Sequence, residues 1–229
     1  MENKAPSLSR MSKWESIFAI GWLPVHILAL PLLLVLLRPG ISAANLTFWS
    51  YMISGLALSL LCVRFLVRDF ERVFDRPARI LGQALLGFAL MMAANVILTW
   101  LLSPFLPAAN PNNEAVMQLA RQEKLRIGFV TVVMAPIAEE LMFRGGVFGL
   151  VRRWNRPAAY AVSILLFSAC HTWQYALEDP IYWLYLVQYL PASFLLCWVY
   201  DRNDCIWTSI LMHMINNSVS LWAMWLGVG

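Results

Sequence analysis

The chain has 229 residues, 60% of them hydrophobic and 13% charged, with a mean hydropathy of +0.64 and a formal net charge of +4. Soluble domains carry about 25% charged residues, so this composition excludes a soluble globular protein and points to an integral, multi-pass membrane protein. The seventeen Lys and Arg cluster between apolar runs, where they suit anchoring at a cytoplasmic surface; the basic balance calls for no nucleic acid.

The first apolar run covers 15–37. It is too long for the hydrophobic region of a secretory signal, and no small-residue cleavage site follows, so it is expected to persist as a span. A second run lies at 44–66. The stretch RDFERVFDRPAR (68–79) alternates charged and apolar residues, which fits either a short amphipathic helix on the inner surface or a solvated connecting loop. A third run, 80–102, holds only Gln83 and Asn95 as modest polar groups. SPFLPAANPNN (103–113), with three prolines and three asparagines, is a breaker-rich loop. Residues 114–126 are expected to form a surface helix.

Four more runs follow at 127–150, 158–176, 181–200 and 205–226. The sequence thus predicts an all-α, polytopic membrane protein of about seven transmembrane helices with short interfacial amphipathic helices. No internal repeat is evident. Residues 1–229 read as one membrane domain, with 1–126 mainly structural and the candidate chemistry in 127–220.

Charge placement sets the orientation. With the N-terminus in the cytoplasm, the inner segments collect Lys4, Arg10, Lys13, Arg64, Arg68, Arg72, Arg76, Arg79, Arg144, Arg152, Arg153, Arg156 and Arg202. The outer segments hold Arg38, Arg121, Lys124 and Arg126, a split of thirteen to four that follows the positive-inside rule. Trp173, Tyr175, Tyr182 and Trp183 flank the predicted outer turn after the fifth span, and Trp198, Tyr200 and Trp207 the inner turn after the sixth, as amphipathic rings at headgroup level do. Cys62, Cys170, Cys197 and Cys205 lie in or at the ends of apolar runs without CxxC spacing, and read as small hydrophobes.

The residues that composition does not explain are polar groups inside apolar runs. Glu139, Glu140 and Arg144 fall near the centre of the fourth span, where a charge costs several kcal/mol unless paired or solvated in a cavity. Glu140 and Arg144 are four apart and share a helix face, which suits an ion pair. Glu139 is rotated by about 100° and is free to face a cavity as a base. Pro136 removes a backbone donor and Gly145-Gly146 follow the arginine, so the helix is expected to loosen here. Phe167 and His171 share a face, as do His213 and Asn217. A lone buried histidine or asparagine is commonly a helix–helix hydrogen bond, and paired glutamates alone suit a proton relay. Together, a carboxylate, two imidazoles and an amide from three helices supply a base, a proton partner and donors for an oxyanion.

The ordered set EExxxR (Glu139, Glu140, Arg144), FxxxH (Phe167, His171) and HxxxN (His213, Asn217) over residues 127–220 resembles the CPBP family: type II CAAX prenyl endopeptidases and bacteriocin-processing or self-immunity (Abi) proteins. The resemblance implies a helical intramembrane protease whose site opens to the membrane and the cytosolic side. In it Glu139 and His171 would activate water, His213 and Asn217 would stabilise the oxyanion, and Glu140, Arg144 and Phe167 would support the site. The substrate would be a hydrophobic, lipidated or membrane-bound polypeptide. The short chain looks more like a prokaryotic member, placed in the cell (inner) membrane. The family is often labelled a metalloprotease, and Glu139, His171 and His213 could hold zinc. HExxH is lacking and Asn217 is a poor zinc ligand, so no metal is favoured. GxGD and GxSG are also lacking. Two other classes stay open: a non-proteolytic scaffold or immunity protein of the same fold, and a proton-coupled transporter.

Overall fold

The computed structural model describes residues 11–106 and 110–226; Lys4 and Arg10 of the charge count, and Pro107 of the breaker loop, lie outside them. Every regular element among the described residues is helical. In chain order these are α1 (Lys13–Leu37), α2 (Ala43–Leu61), α3 (Val63–Asp75), α4 (Pro77–Leu102) and α5 (Pro111–Gln122). They continue with α6 (124–151), α7 (Arg156–Cys170), α8 (Trp173–Glu178), α9 (Leu186–Asn203) and α10 (Ile206–Leu226). A 3-10 turn, Pro180–Tyr185, leads into α9.

Local chemistry sets several boundaries. Ser12 caps α1 in a reciprocal box with Glu15, so two orphan N–H groups are satisfied at once. Asn110 caps α5 by accepting from the N–H groups of Asn112 and Asn113, with Pro111 in the first turn, the position where its missing donor costs nothing. The second predicted span is shorter than its apolar run, because the chain breaks at Cys62 and residues 63–66 belong to α3. Of the two readings of the 68–79 stretch, the structure gives the amphipathic helix up to Asp75: Phe65, Leu66 and Asp69 are buried while Arg64, Arg68 and Glu71 are exposed.

Four helical stretches are long and apolar enough to cross a membrane: Lys13–Leu37, Ala43–Leu61, Pro77–Leu102 and Pro180–Asn203. The other three predicted spans are α6, α7 and α10, and these carry the motif residues. α7 has 15 residues, α10 carries His213, Asn216 and Asn217, and α6 is interrupted by two π-helical stretches, Val130–Met134 and Leu141–Phe148. From Ala138 to Gly149 every residue of α6 is buried. Protein rather than lipid surrounds it, which is the setting where irregular backbone and charged side chains are tolerated at membrane depth.

The first π stretch has an identifiable cause. Pro136 offers no N–H and its ring crowds the carbonyl one turn back, so the chain widens before it: the Ala135 N–H reaches the carbonyl of Val130, five residues earlier. Pro31 does the same in α1, where the Leu30 N–H reaches Val25. Single π turns of this kind recur at functional sites.

Glycines let the helices approach. A Cβ on Gly146 would lie 3.1 Å from the Cβ of Ala19, and one on Gly55 would meet the Met134 backbone oxygen at 3.3 Å. The inner half of α1 therefore lies directly against the second π stretch of α6.

The two ends of the bundle differ in chemistry. At one end Asp201 accepts from Arg152 at 3.0 Å, Arg156 at 2.7 Å and the Tyr160 hydroxyl at 3.2 Å, and Arg153 donates to the Met11 carbonyl. There too Arg72 pairs with Asp204 at 2.9 Å, and Asp204 closes α9 in the left-handed conformation at φ 52°. The Asp69 carboxylate accepts the Ile206 N–H at 2.8 Å, so α3 caps the helix that carries His213 and Asn217. At the other end Lys124 lies over the Trp225 ring and Arg126 over that of Phe48, each at 4.3 Å. One member of the charge count is corrected: Arg144 is fully buried inside the bundle, not at the inner surface, which leaves twelve to four.

Replacing Gly146 with Leu should cost roughly 1–3 kcal/mol by overpacking and lower the yield of monodisperse protein in detergent. Gly82→Leu, where a Cβ meets nothing within 4 Å, should leave size-exclusion profile and melting temperature unchanged.

Candidate functional site

Glu140 lies at the centre of a buried polar knot. Its Oε1 accepts from Arg144 Nη1 at 3.1 Å, one helical turn along α6, and from His213 Nδ1 of α10 at 2.9 Å. Arg144 also donates through Nη2 to the carbonyl of Ser193 in α9 at 3.1 Å and to its hydroxyl at 3.3 Å. Its guanidinium stacks over the Phe167 ring of α7 at 4.3 Å. Glu140 and Arg144 have no exposed side-chain surface. One ion pair thus joins four helices, and Phe167 acts as the aromatic plate beneath the charge.

Glu139 faces the other way, as the 100° rotation predicts. Its Oε1 accepts from the Tyr51 hydroxyl of α2 at 3.1 Å. Its Oε2 is buried without a hydrogen-bond partner and lies 3.8 Å from both His171 Nε2 and His213 Nε2, too far for a direct hydrogen bond.

The partners of each ring fix its tautomer. His171 Nδ1 is 2.8 Å from the Phe167 carbonyl, which can only accept, so Nδ1 carries the proton. His213 Nδ1 faces the Glu140 carboxylate and carries its proton for the same reason. In the neutral state both Nε2 atoms then present bare lone pairs toward Glu139 Oε2. Three acceptors converge on one point with no protein donor between them. His171 is the last residue of its helix turn (φ −91°, ψ −10°); its ring lies 4.4 Å from Phe167 and 4.8 Å from Tyr189.

Glu139 and His171 line two adjoining lobes of a cavity, of about 190 Å³ and about 350 Å³. The first extends toward His213, Asn216, Asn217 and Met91, the second toward His26, Ser50, Cys170 and Tyr175. Asn112, Val116 and Leu119 of α5 border both. Asn217 stands on the wall of the first lobe, where its Nδ2 donates to the Thr131 carbonyl in the widened turn before Pro136, at 2.9 Å, and Asn216 donates to its Oδ1 at 3.1 Å. The second Nδ2 hydrogen has no protein acceptor in these bonds.

The structure therefore brings Glu139, His171 and His213 together directly, keeps Glu140, Arg144 and Phe167 behind them, and places Asn217 in the same lobe without contact to the carboxylate. Tyr51, Tyr189 and Ser193 escaped the sequence reading. Tyr51 lies in a span that reads as ordinary packing, and a tyrosine at a helix end reads as an interfacial anchor. No feature of the local sequence singles them out.

Among the described residues, no group of three His, Cys, Asp or Glu side chains is arranged to hold a metal ion. The chemistry derived below uses Glu139, His171 and His213 as proton-transfer and orienting groups and routes no step through a metal.

Fold and site together define a helical, multi-pass membrane protein with a polar site buried among its helices. Residues 121–219 match the family described as Type II CAAX prenyl endopeptidase Rce1-like, the segment that carries the site. The resemblance read from the three ordered motifs is thereby borne out. A UPF0177 protein YxdF of Lactococcus lactis subsp. lactis is 34% identical over 89 residues, which is 38% of this chain and 45% of that protein. A second, the UPF0177 protein in the abiGi 5′ region of Lactococcus lactis subsp. cremoris, is 34% identical over 94 residues, 41% of this chain and 36% of the relative. The match thus spans less than half the length of these curated relatives. No solved structure matches the chain.

Removing either member of the buried pair strands the other. Glu140→Ala and Arg144→Ala should each destabilise the protein by roughly 3–5 kcal/mol, and the double variant Glu140→Leu/Arg144→Met by much less. Thermal unfolding of the purified variants checks both.

Proposed function

We propose that the protein is an intramembrane endopeptidase that hydrolyses a hydrophobic or lipid-anchored polypeptide with water activated by Glu139 and His171. The observation that carries this reading is the convergence of Glu139 Oε2 with two imidazole Nε2 atoms at the junction of two cavity lobes. A peptide laid across both lobes would bring one bond to that junction.

The residues then divide the work. Tyr51 occupies one oxygen of Glu139 and leaves the other as the base. A water within reach of Oε2 and His171 Nε2 is oriented by both; its oxygen attacks the scissile carbonyl carbon as its proton passes to Glu139. The oxyanion that forms meets the free Nδ2 hydrogen of Asn217. His213, its Nδ1–H held by Glu140, turns Nε2 toward the same point. Glu139 returns the proton to the leaving nitrogen as the C–N bond breaks. In a site shielded from bulk water such donors are effective without reorganisation.

A scaffold has no use for a buried carboxylate oxygen left without a donor, a cost of about 1–3 kcal/mol. A transporter needs a polar path on both sides, yet toward the arginine-rich end the site is backed by buried Met142, Phe143, Phe167 and Leu196.

Cleavage of a panel of lipidated and hydrophobic peptides by purified protein tests the reading. Glu139→Gln and His171→Ala should abolish turnover, and Asn217→Ala should lower it by about 10²–10³, the usual effect of losing an oxyanion donor. Activity should survive 1,10-phenanthroline. Equal turnover by Glu139→Gln and the unmodified protein would refute the mechanism; loss of activity on chelation with recovery on zinc addition would recast the same side chains as ligands.

A further inference from the structure

We propose that Pro136 is a positioning residue of the site: because it has no N–H to give, the carbonyl of Thr131 stays free within α6 and holds the amide of Asn217, with one Nδ2 hydrogen left for the cavity. The hold itself stands on geometry. Its consequence for turnover rests on the proteolytic reading above, in which that hydrogen meets the oxyanion.

Hydrogen bonding along α6 isolates this carbonyl. In an α-helix Thr131 would accept from residue 135, and in a π turn from residue 136. The N–H of Ala135 goes instead to Val130, five residues back. Residue 136 is the next donor in that register, and it is a proline. Both positions therefore pass the Thr131 carbonyl over. A backbone carbonyl inside a helix bundle needs a partner from another element when its own helix supplies none, and α10 packs against this stretch. The partner is Asn217 Nδ2, at 2.9 Å.

That bond decides which way the amide faces. The terminal torsion of an asparagine has two broad settings that exchange its oxygen and nitrogen. Here Nδ2 donates to Thr131 while Oδ1 accepts from Asn216 Nδ2 at 3.1 Å. Turned over, the group would set Oδ1 against a carbonyl oxygen and one NH2 against another, so both neighbours reject that setting. Without the Thr131 carbonyl the Asn216 bond is left, and it ties Asn217 to its own helix rather than to α6.

The proline also lies in register with the base. Pro136 and Glu139 are three apart on one turn of α6, and both Glu139 and Asn217 line the first lobe of the cavity. That turn carries the base and, through the Thr131 carbonyl, sets the amide in the same lobe. A proline in a helix interior is destabilising; the orientation of Asn217 is what this one secures.

A double-variant cycle on the purified full-length protein tests the link without reference to activity. Pro136→Ala restores an N–H that reaches the Thr131 carbonyl and displaces Asn217. In the unmodified protein Asn217→Ala strands that carbonyl and should lower the melting temperature; in the Pro136→Ala background it should lower it clearly less. Equal lowering in both backgrounds overturns the proposal. Turnover of the peptide panel reads the consequence. Pro136→Ala should lower kcat by about 10²-fold, as a misplaced group does, with KM unchanged, and adding Asn217→Ala should lower it little further. An unchanged kcat, or losses that multiply, overturns the proposal, while cleavage that still needs Glu139 leaves the proteolytic reading standing. If no Glu139-dependent cleavage is found, that reading fails and the melting cycle still decides the hold on Asn217. If Pro136→Ala does not accumulate, Pro136→Gly restores the same N–H and takes its place in the cycle.

Discussion

The structure depends on one carboxylate oxygen. Glu140 Oε1 accepts from both Arg144 and His213, and through those bonds α6 is tied to α10, and through Ser193 and Phe167 to α9 and α7. At bilayer depth the cost of leaving any member of such a set alone is large. The charges therefore specify which helices neighbour which more strictly than apolar contact would, since lipid competes with helix for apolar surface. The same oxygen fixes the His213 tautomer, so the bond that holds the bundle together also sets which ring nitrogen faces the cavity. Structural and chemical roles cannot be assigned to separate residues here.

Much of this was legible in the chain. The i,i+4 spacing of Glu140 and Arg144 foretold their ion pair, and the offset of Glu139 foretold its turn toward a cavity. Pro136 foretold a loosened helix; that the loosening takes the form of a π turn, repeated before Pro31, follows from how a blocked hydrogen bond is re-made one residue back. The apolar runs located the helices but not their ends. The 44–66 run crosses a break at Cys62 because hydropathy cannot separate a lipid-facing span from an amphipathic helix that begins with apolar residues.

What stayed hidden was long-range pairing. Nothing near Tyr51 in sequence announces that its hydroxyl lies 3.1 Å from a carboxylate 88 residues away. Asp69 reads as one charge in an alternating surface stretch, yet it is buried and caps α10. Both are polar atoms whose partners are brought close by topology alone, and one sequence without its fold contains no trace of that proximity. The three motif-bearing helices also look like ordinary spans in sequence, whereas in space protein shields much of their surface from lipid, which is how they tolerate their polar residues.

These remote contacts bear on what counts as a unit of inheritance. The matched segment, 121–219, holds every motif residue, but its Glu139 is gripped from α2, its glycine seam is filled by α1, and its last helix is capped by α3. Transplanted onto a different set of leading helices, the same ninety-nine residues would arrive with an unheld glutamate, a gap along Gly145-Gly146 and a bare helix start. The matched segment is thus not a portable module. The leading helices can drift in sequence only as far as a phenol, a slim α1 surface and one carboxylate are kept in place.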